Sequence, residues 1–179
     1  MYEGQMVRLR EYRKEDVPLR LKYINDPEVG KSLTPDVPYP ITLHEEEKWF
    51  ESITAARDTY KFAIETIEDN QFIGGCSING VDWKNSVAVI GIFIGSKNHR
   101  GKGYATDALK VLMDFIFMQM NINKIRLIVY SYNHSAIKCY ERNGFKIEGV
   151  LREEIYKDGK RYDKIAMGIL KEEYLSGRK

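Results

Sequence analysis

This sequence predicts a mixed α/β fold of the α+β type on a mainly antiparallel, seven-stranded sheet, and three observations carry that prediction. Apolar runs of strand period come as one, then three in succession, then one, then two. Runs of helical period stand between those groups. Inside the groups the strands are separated by short Asp/Asn/Gly turns, too short for the crossover a parallel pair needs. The element order is therefore β α α β β β α β α β β.

Met6–Tyr12 alternates apolar and polar residues and reads as the first strand. Lys14–Asn25 reads as a helix, with Pro18 tolerated in its first turn. Asn25–Thr42 holds four of the five prolines and is expected to be a loop. Leu43–Ala56 follows as a helix, with Thr42 and Glu45 spaced as a capping box. Tyr60–Ile67, Phe72–Gly80 and Ser86–Gly95 form a predicted meander, turned at Asp69–Asn70 and Asp82–Asn85.

A long helix is expected over Gly101–Met120, with Ala105, Ala108, Leu109, Leu112 and Ile116 on one apolar stripe. Lys124–Tyr130 is the next strand. His134–Phe145 is a short helix ended by Gly144, which suits the left-handed position past a helix terminus. The last strands, Lys146–Tyr156 and Lys160–Leu170, flank a tight turn at Asp158–Gly159. The 179 residues are expected to form one domain, with a core over about 6–170 and a solvated tail over 171–179.

The composition, 43% hydrophobic and 30% charged, is globular. The net charge of +2 comes from 28 basic and 26 acidic residues with interspersed signs, which argues against a nucleic-acid partner. No apolar run reaches membrane length and no leader pattern opens the chain, so no membrane partner is expected. Cys76 and Cys139 lack metal-ligand spacing and read as reduced thiols, which suits the cytoplasm.

One stretch stands apart. Asn98–Leu109, "NHRGKGYATDAL", opens the long helix with two glycines around a lysine instead of a capping side chain. A dinucleotide fingerprint would want Gly or Ala where Thr106 stands, and an acid near the end of the next strand, which Gln119–Arg126 does not supply. The phosphate-loop pattern G-x-x-x-x-G-K-[ST] does not occur either. What remains is a helix start whose unpaired N–H groups could cradle a phosphate or pyrophosphate, with Arg100 and Lys102 adding charge.

The run "RGKGYA" fits the R/Q-x-x-G-x-G/A signature of the GCN5-related N-acetyltransferases through Arg100, Gly103 and Ala105. Twenty-eight residues past Ala105, Asn133–Phe145 resembles that family's second motif through Asn133, Ala136, Tyr140, Gly144 and Phe145. The segment Arg8–Val29 resembles the branch that includes ribosomal-protein N-terminal and spermidine acetyltransferases. The resemblance implies a splay between the fourth and fifth strands, beside a bulge in the fourth, and acetyl-CoA as co-substrate. It implies that the amides of Arg100, Gly101, Lys102, Gly103, Tyr104 and Ala105 hold the pyrophosphate. It also implies that the backbone of Phe93, Ile94 and Gly95 pairs with the pantetheine arm, and that Asn133 and Ala136 contact the cofactor. The glycine where the strand leaves the sheet, Gly95, is explained on this reading by the arm. A homodimer is the oligomeric state this branch suggests.

The implied reaction is direct attack of a primary amine on the thioester through a tetrahedral intermediate. Much of its rate comes from holding both reactants in near-attack geometry. Tyr140 would protonate the departing thiolate. Many relatives carry glutamate in an A-E-I-G run before the loop, where this chain has Ala88-Val89-Ile90-Gly91. Either Glu65 or Asp82 then acts as a remote base through water, or the acceptor amine has a low pKa, like an α-amino terminus at about 7.7–8.0. The second option favours a peptide N-terminus or an amino sugar over a polyamine. His44 and His99 read as surface residues without a role. The acceptor is expected under Asn25–Thr42, the hairpin near Asp158, and Tyr156 or Tyr162. The rival reading is an acyl-CoA-binding module with little or no catalysis.

Overall fold

Alternation over Met6–Tyr12 becomes strand β1, Val7–Arg10, with Val7 and Leu9 buried. The computed structural model describes residues 2–34, 36–53 and 59–177. The expected first helix begins as a 3-10 turn over Lys14–Asp16 and continues as α1, Val17–Ile24, with Pro18 in its first turn. Asn25–Thr42 is not all loop. Asp26 accepts from the Glu28 amide and, with Pro27 behind it, starts a further helix, α2, over Pro27–Leu33. Helix α3, Leu43–Ile53, begins at the expected box, where Glu45 accepts from the Thr42 amide at 2.8 Å. The rest of that predicted helix, 54–56, lies outside the described residues.

The meander forms as β2 (Tyr60–Thr66), β3 (Phe72–Asp82) and β4 (Val87–Ile94), antiparallel throughout. Helix α4, Tyr104–Gln119, is the crossover to β5, Lys124–Tyr130, which lies parallel to β4. Helix α5, His134–Arg142, leads to Gly144 at φ 88 and then to the β6–β7 hairpin, Lys146–Lys157 and Lys160–Leu170. The seven strands form one sheet in the order β1-β2-β3-β4-β5-β7-β6. The expected tail is instead helix α6, Lys171–Ser176, because Tyr174 is buried with its ring 5.1 Å from that of Phe117.

Helix α4 carries the core. Ala108, Leu109, Leu112 and Ile116 of the predicted stripe are fully buried, whereas Ala105 is half-buried. Truncating a side chain as enclosed as Leu112 to alanine would cost about 2–5 kcal/mol. Asp107, in the first turn, fixes the helix start. Its carboxylate accepts from the amides of Gln5 (3.1 Å), Met6 (2.7 Å) and Val7 (3.0 Å). A charged acceptor for three main-chain donors, placed at the positive end of a helix, ties β1 and α4 into one frame.

Candidate active site

β4 and β5 pair over Val87–Val89 and Lys124–Arg126, and beyond that the two strands part. The gap faces Ile90–Ile94 on one side and Leu127–Tyr130 on the other. A register shift in the β3–β4 ladder lies at the branch point, where Ile78 and Gly80 oppose Ile90 and Val89. The extra residue of this bulge, Asn79, is on β3 rather than on β4, where it was expected. The Gly95 amide donates to Ile73. By the alternation of an antiparallel ladder, Ile92 and Ile94 therefore turn their backbone groups toward the gap.

The gap opens into a cleft of about 830 Å³ that runs from the start of α4 to the β6–β7 hairpin. At its cofactor end the loop after β4 stands bare. Gly101 and Gly103 have φ of 71 and 94, values that favour glycine, and a Cβ on Gly101 would meet nothing within 4 Å. Gly103 is the N-cap of α4 and places no side chain on its first amides. Tyr104, Ala105 and Thr106 thus present N–H groups without intrahelical partners at the positive end of a 16-residue helix. Uncapped donors beside glycines, in an open cleft, fit the pyrophosphate of a coenzyme A.

Most of the residues expected at the site line this cleft: Phe93, Ile94, Arg100, Gly101, Gly103, Tyr104, Ala105, Asn133, Ala136 and Tyr140. Gly95 and Lys102 do not. Gly95 has a different reason to be glycine, since a Cβ there would fall 2.1 Å from the ring of Tyr23. Its amide goes to Ile73 and its carbonyl accepts from Arg100 at 2.8 Å. Arg100 also differs from expectation. Its Nε donates to the Ile94 carbonyl at 3.0 Å, and its guanidinium pairs with Glu28 at 3.1 Å and Asp26 at 3.6 Å. It fastens the end of β4 to α2 and directs its charge to the protein's own carbonyls and carboxylates.

Asn133 caps α5, its side chain accepting from the Ala136 amide at 3.2 Å. One turn on, Tyr140 is buried, with its ring 5.6 Å from Phe145 and its face on the cleft. Burial raises its phenol above the ordinary value of 10, so it stays a proton carrier at neutral pH. Beside it Cys139 Sγ lies 3.5 Å from Thr106 Oγ1, and burial raises that thiol too.

Neither carboxylate considered as a remote base reaches the cleft. Glu65 is buried and accepts from Arg10 at 2.5 Å, and Asp82 holds the Asn85 amide in a turn. Among the described lining residues the carboxylates are Glu28 and Asp158. His44 is exposed, as expected, but His99 is in the cleft wall, its ring 4.9 Å from that of Tyr104. Tyr162 lines the opposite end, and Tyr156, 67% exposed, does not. Sequence reasoning missed Ile92, Tyr130, Tyr132, Lys31 and Lys157, all in the lining. The Asp26-Pro27-Glu28 start signal could have revealed α2 and with it Lys31. A strand pairing one residue out of phase concealed Ile92.

Comparison with known proteins agrees with this geometry. The acetyltransferase (GNAT) domain model matches residues 7–146. An uncharacterized N-acetyltransferase, p20, of Bacillus licheniformis is 32% identical over 181 residues, 93% of each chain. A spermidine N(1)-acetyltransferase of Escherichia coli is 28% identical over 190 residues, covering all of this chain and 94% of its own. The crystal structure of spermidine N-acetyltransferase from Vibrio cholerae, in complex with CoA and spermine, superposes with a TM-score of 0.85 at 27% identity. It covers 94% of this chain and 98% of its own. A splayed sheet, an uncapped glycine helix start and a matching family model together place this chain in the GNAT acetyltransferase family.

Proposed function

We propose that this acetyltransferase transfers an acetyl group directly to a primary amine of low pKa, with Tyr140 serving the departing sulfur. The observation that carries the reading is the position of Tyr140, buried beside the splay with its phenol raised by that burial. Acetyl-CoA, when bound, supplies the activated acetyl thioester. The amides at Gly101 and Gly103–Thr106 hold its pyrophosphate, and the open edge of β4, at Ile92 and the Ile94 amide, aligns its arm. Asn133 fixes the start of α5 and so the direction of Tyr140. As the C–N bond forms and the C–S bond breaks, the phenol, protonated at neutral pH, gives its proton to the departing sulfur, and the proton that the nitrogen sheds on becoming an amide restores it.

The amine arrives between α2 and the β6–β7 hairpin, which both line the cleft. Val89 cannot act as a base, and Glu28, one of the two cleft carboxylates, is paired with Arg100. An ammonium of pKa about 10.4 is neutral in about four molecules in ten thousand at pH 7, whereas an α-amino group at about 7.7–8.0 is neutral in roughly a tenth to a sixth. This supports a peptide N-terminus or an amino sugar as acceptor over a polyamine. Two free thiols, Cys76 and Cys139, suit a reducing compartment such as the cytoplasm, and we carry a homodimer as part of the proposal.

Thiol release from acetyl-CoA across N-terminal peptides, amino sugars, aminoglycosides and polyamines tests the function. Saturable, amine-dependent release with a low-pKa amine is expected. Tight acetyl-CoA binding without turnover on any amine would instead make the chain a binding module.

A further inference from the structure

The acceptor end of the cleft has a charge and shape of its own. Tyr130, Tyr132 and Tyr162 form a cluster there, with Tyr132 centred 5.5 Å from Tyr130 and 4.9 Å edge-on from Tyr162. The Tyr132 hydroxyl donates to the carbonyl of Lys31, which joins the end of β5 to α2. Above the same ring, 5.7 Å from its centre, stands the Lys157 ammonium, brought by the hairpin. Lys31 meets this tyrosine through its main chain, and its ammonium stands close enough to Lys157 to act on that group's charge.

Four lysines elsewhere have acidic partners, Lys97 with Asp26, Lys124 with Glu148, Lys146 with Glu173 and Lys164 with Glu154, and what sets Lys31 and Lys157 apart is their place together in the cleft lining. Among the described residues no carboxylate forms such a pair with Lys31 or Lys157. The acids of the lining are Asp158, at the hairpin turn, and Glu28 of α2, which is paired with Arg100. Burial lowers the Lys157 ammonium below its usual range, Asp158 opposes that, and the neighbouring charge of Lys31 adds to it. Over the whole lining, five lysines and arginines face two carboxylates, and one of the five, Arg100, is paired with Glu28.

Like charges gathered on a cleft wall disfavour a polycation and attract an anion. We infer that the acceptor amine belongs to an anionic molecule, whose phosphate or carboxylate is held by Lys31 and Lys157 beside the face of Tyr132. The inference rests on the acceptor end assigned under the proposed function and narrows its substrate class. A polyamine would bring further ammonium groups against two lysines. An amine paired with an anion would neutralise them and set its apolar or sugar face on the tyrosines.

The test compares matched acceptors: glucosamine 6-phosphate against glucosamine, an N-terminal Ser-Glu-Glu peptide against Ser-Gln-Gln, and spermidine. The expected result is a kcat/KM about tenfold or more higher for the anionic member of at least one pair. The pair that shows it identifies phosphate or carboxylate as the recognised group. In the double variant Lys31→Ala/Lys157→Ala that preference disappears, while the KM for acetyl-CoA is unchanged. Lys157→Glu alone reverses it. Turnover of spermidine, or of the neutral members, at or above the rate of the anionic ones overturns the inference and leaves the proposed function standing. If no amine is acetylated, the proposed function falls, and binding of glucosamine 6-phosphate to the CoA-loaded protein decides the inference. Salt-sensitive binding that is lost in the double variant upholds it, and no binding overturns it.

Discussion

Where the cleft meets α4 its wall is main chain, with amides at Gly101 and Gly103–Thr106 and the open edge of β4. Where it meets α2 and the β6–β7 hairpin its wall is largely side chain, with three tyrosines, two lysines, Asp158 and the Arg100-paired Glu28. Main-chain recognition needs glycines at particular positions and a rigid frame, and Asp107 supplies the frame by holding three amides of the N-terminal segment. Side-chain recognition needs only a scaffold that brings loops together, so the residues on it can change while the fold remains. One end can therefore be specific to a shared cofactor while the other is free to follow the acceptor.

Tyr140 stands between the two ends, and replacing it should have the largest effect. Tyr140→Phe is expected to lower kcat by about a hundredfold or more while the KM for acetyl-CoA stays within about twofold. Because burial holds the Tyr140 phenol above 10, kcat should not fall between pH 7 and pH 10. The contribution of the neutral buried phenol to stability is complete below pH 10. It is lost as pH rises toward the higher folded-state value, so alkaline melting scans should show decline only there.

Next in size is Asp107→Ala, which leaves the amides of Gln5, Met6 and Val7 without their acceptor. A loss of about 3 kcal/mol is expected, readable as a lower urea midpoint. Gly103→Ala should be milder. At φ 94 a side chain strains the backbone by about 1–2 kcal/mol, although Met6 Sδ at 3.7 Å leaves room for the methyl. The KM for acetyl-CoA should rise about tenfold as the amides turn away, and an unchanged KM would count against a main-chain cradle. Smallest of all, Lys102→Ala should alter that KM by less than about twofold, since the side chain does not line the cleft.

The same division explains what could be read from the residues alone. The bare start of α4 and the capped start of α5 were legible because each forces a local pattern: glycines at positive φ, and Asn133 as a cap on the short helix that carries Tyr140. The succession of strands along the chain, with the meander and the last hairpin, followed from apolar period and turn residues, whereas the place of β7 between β5 and β6 is seen only in the fold. Helix α2 was hidden by Pro27 and Gly30, which resemble loop residues until Asp26 is recognised as a cap. Helix α6 was hidden by its short length and charge, and tertiary packing of Tyr174 on Phe117 decides it. At Gly95 and Arg100 the sequence shows adjacency to the loop but not direction. Tyr23 packing and two backbone carbonyls account for them. The lysine pair at Tyr132 joins residues 31, 132 and 157, and only the fold brings those three together.

The central claim is direct transfer within this cleft, with Tyr140, not its neighbour Cys139, serving the reaction. Cys139 lines the same wall, and burial raises its thiol, which makes it a poor nucleophile. The most direct measurement mixes the protein with a stoichiometric amount of acetyl-CoA before any amine is added, following free thiol and intact protein mass. We expect no thiol burst and no mass change until amine arrives, then one equivalent of thiol and acetylated amine together. A burst of thiol with an acetyl group on Cys139 before amine is present would contradict the account.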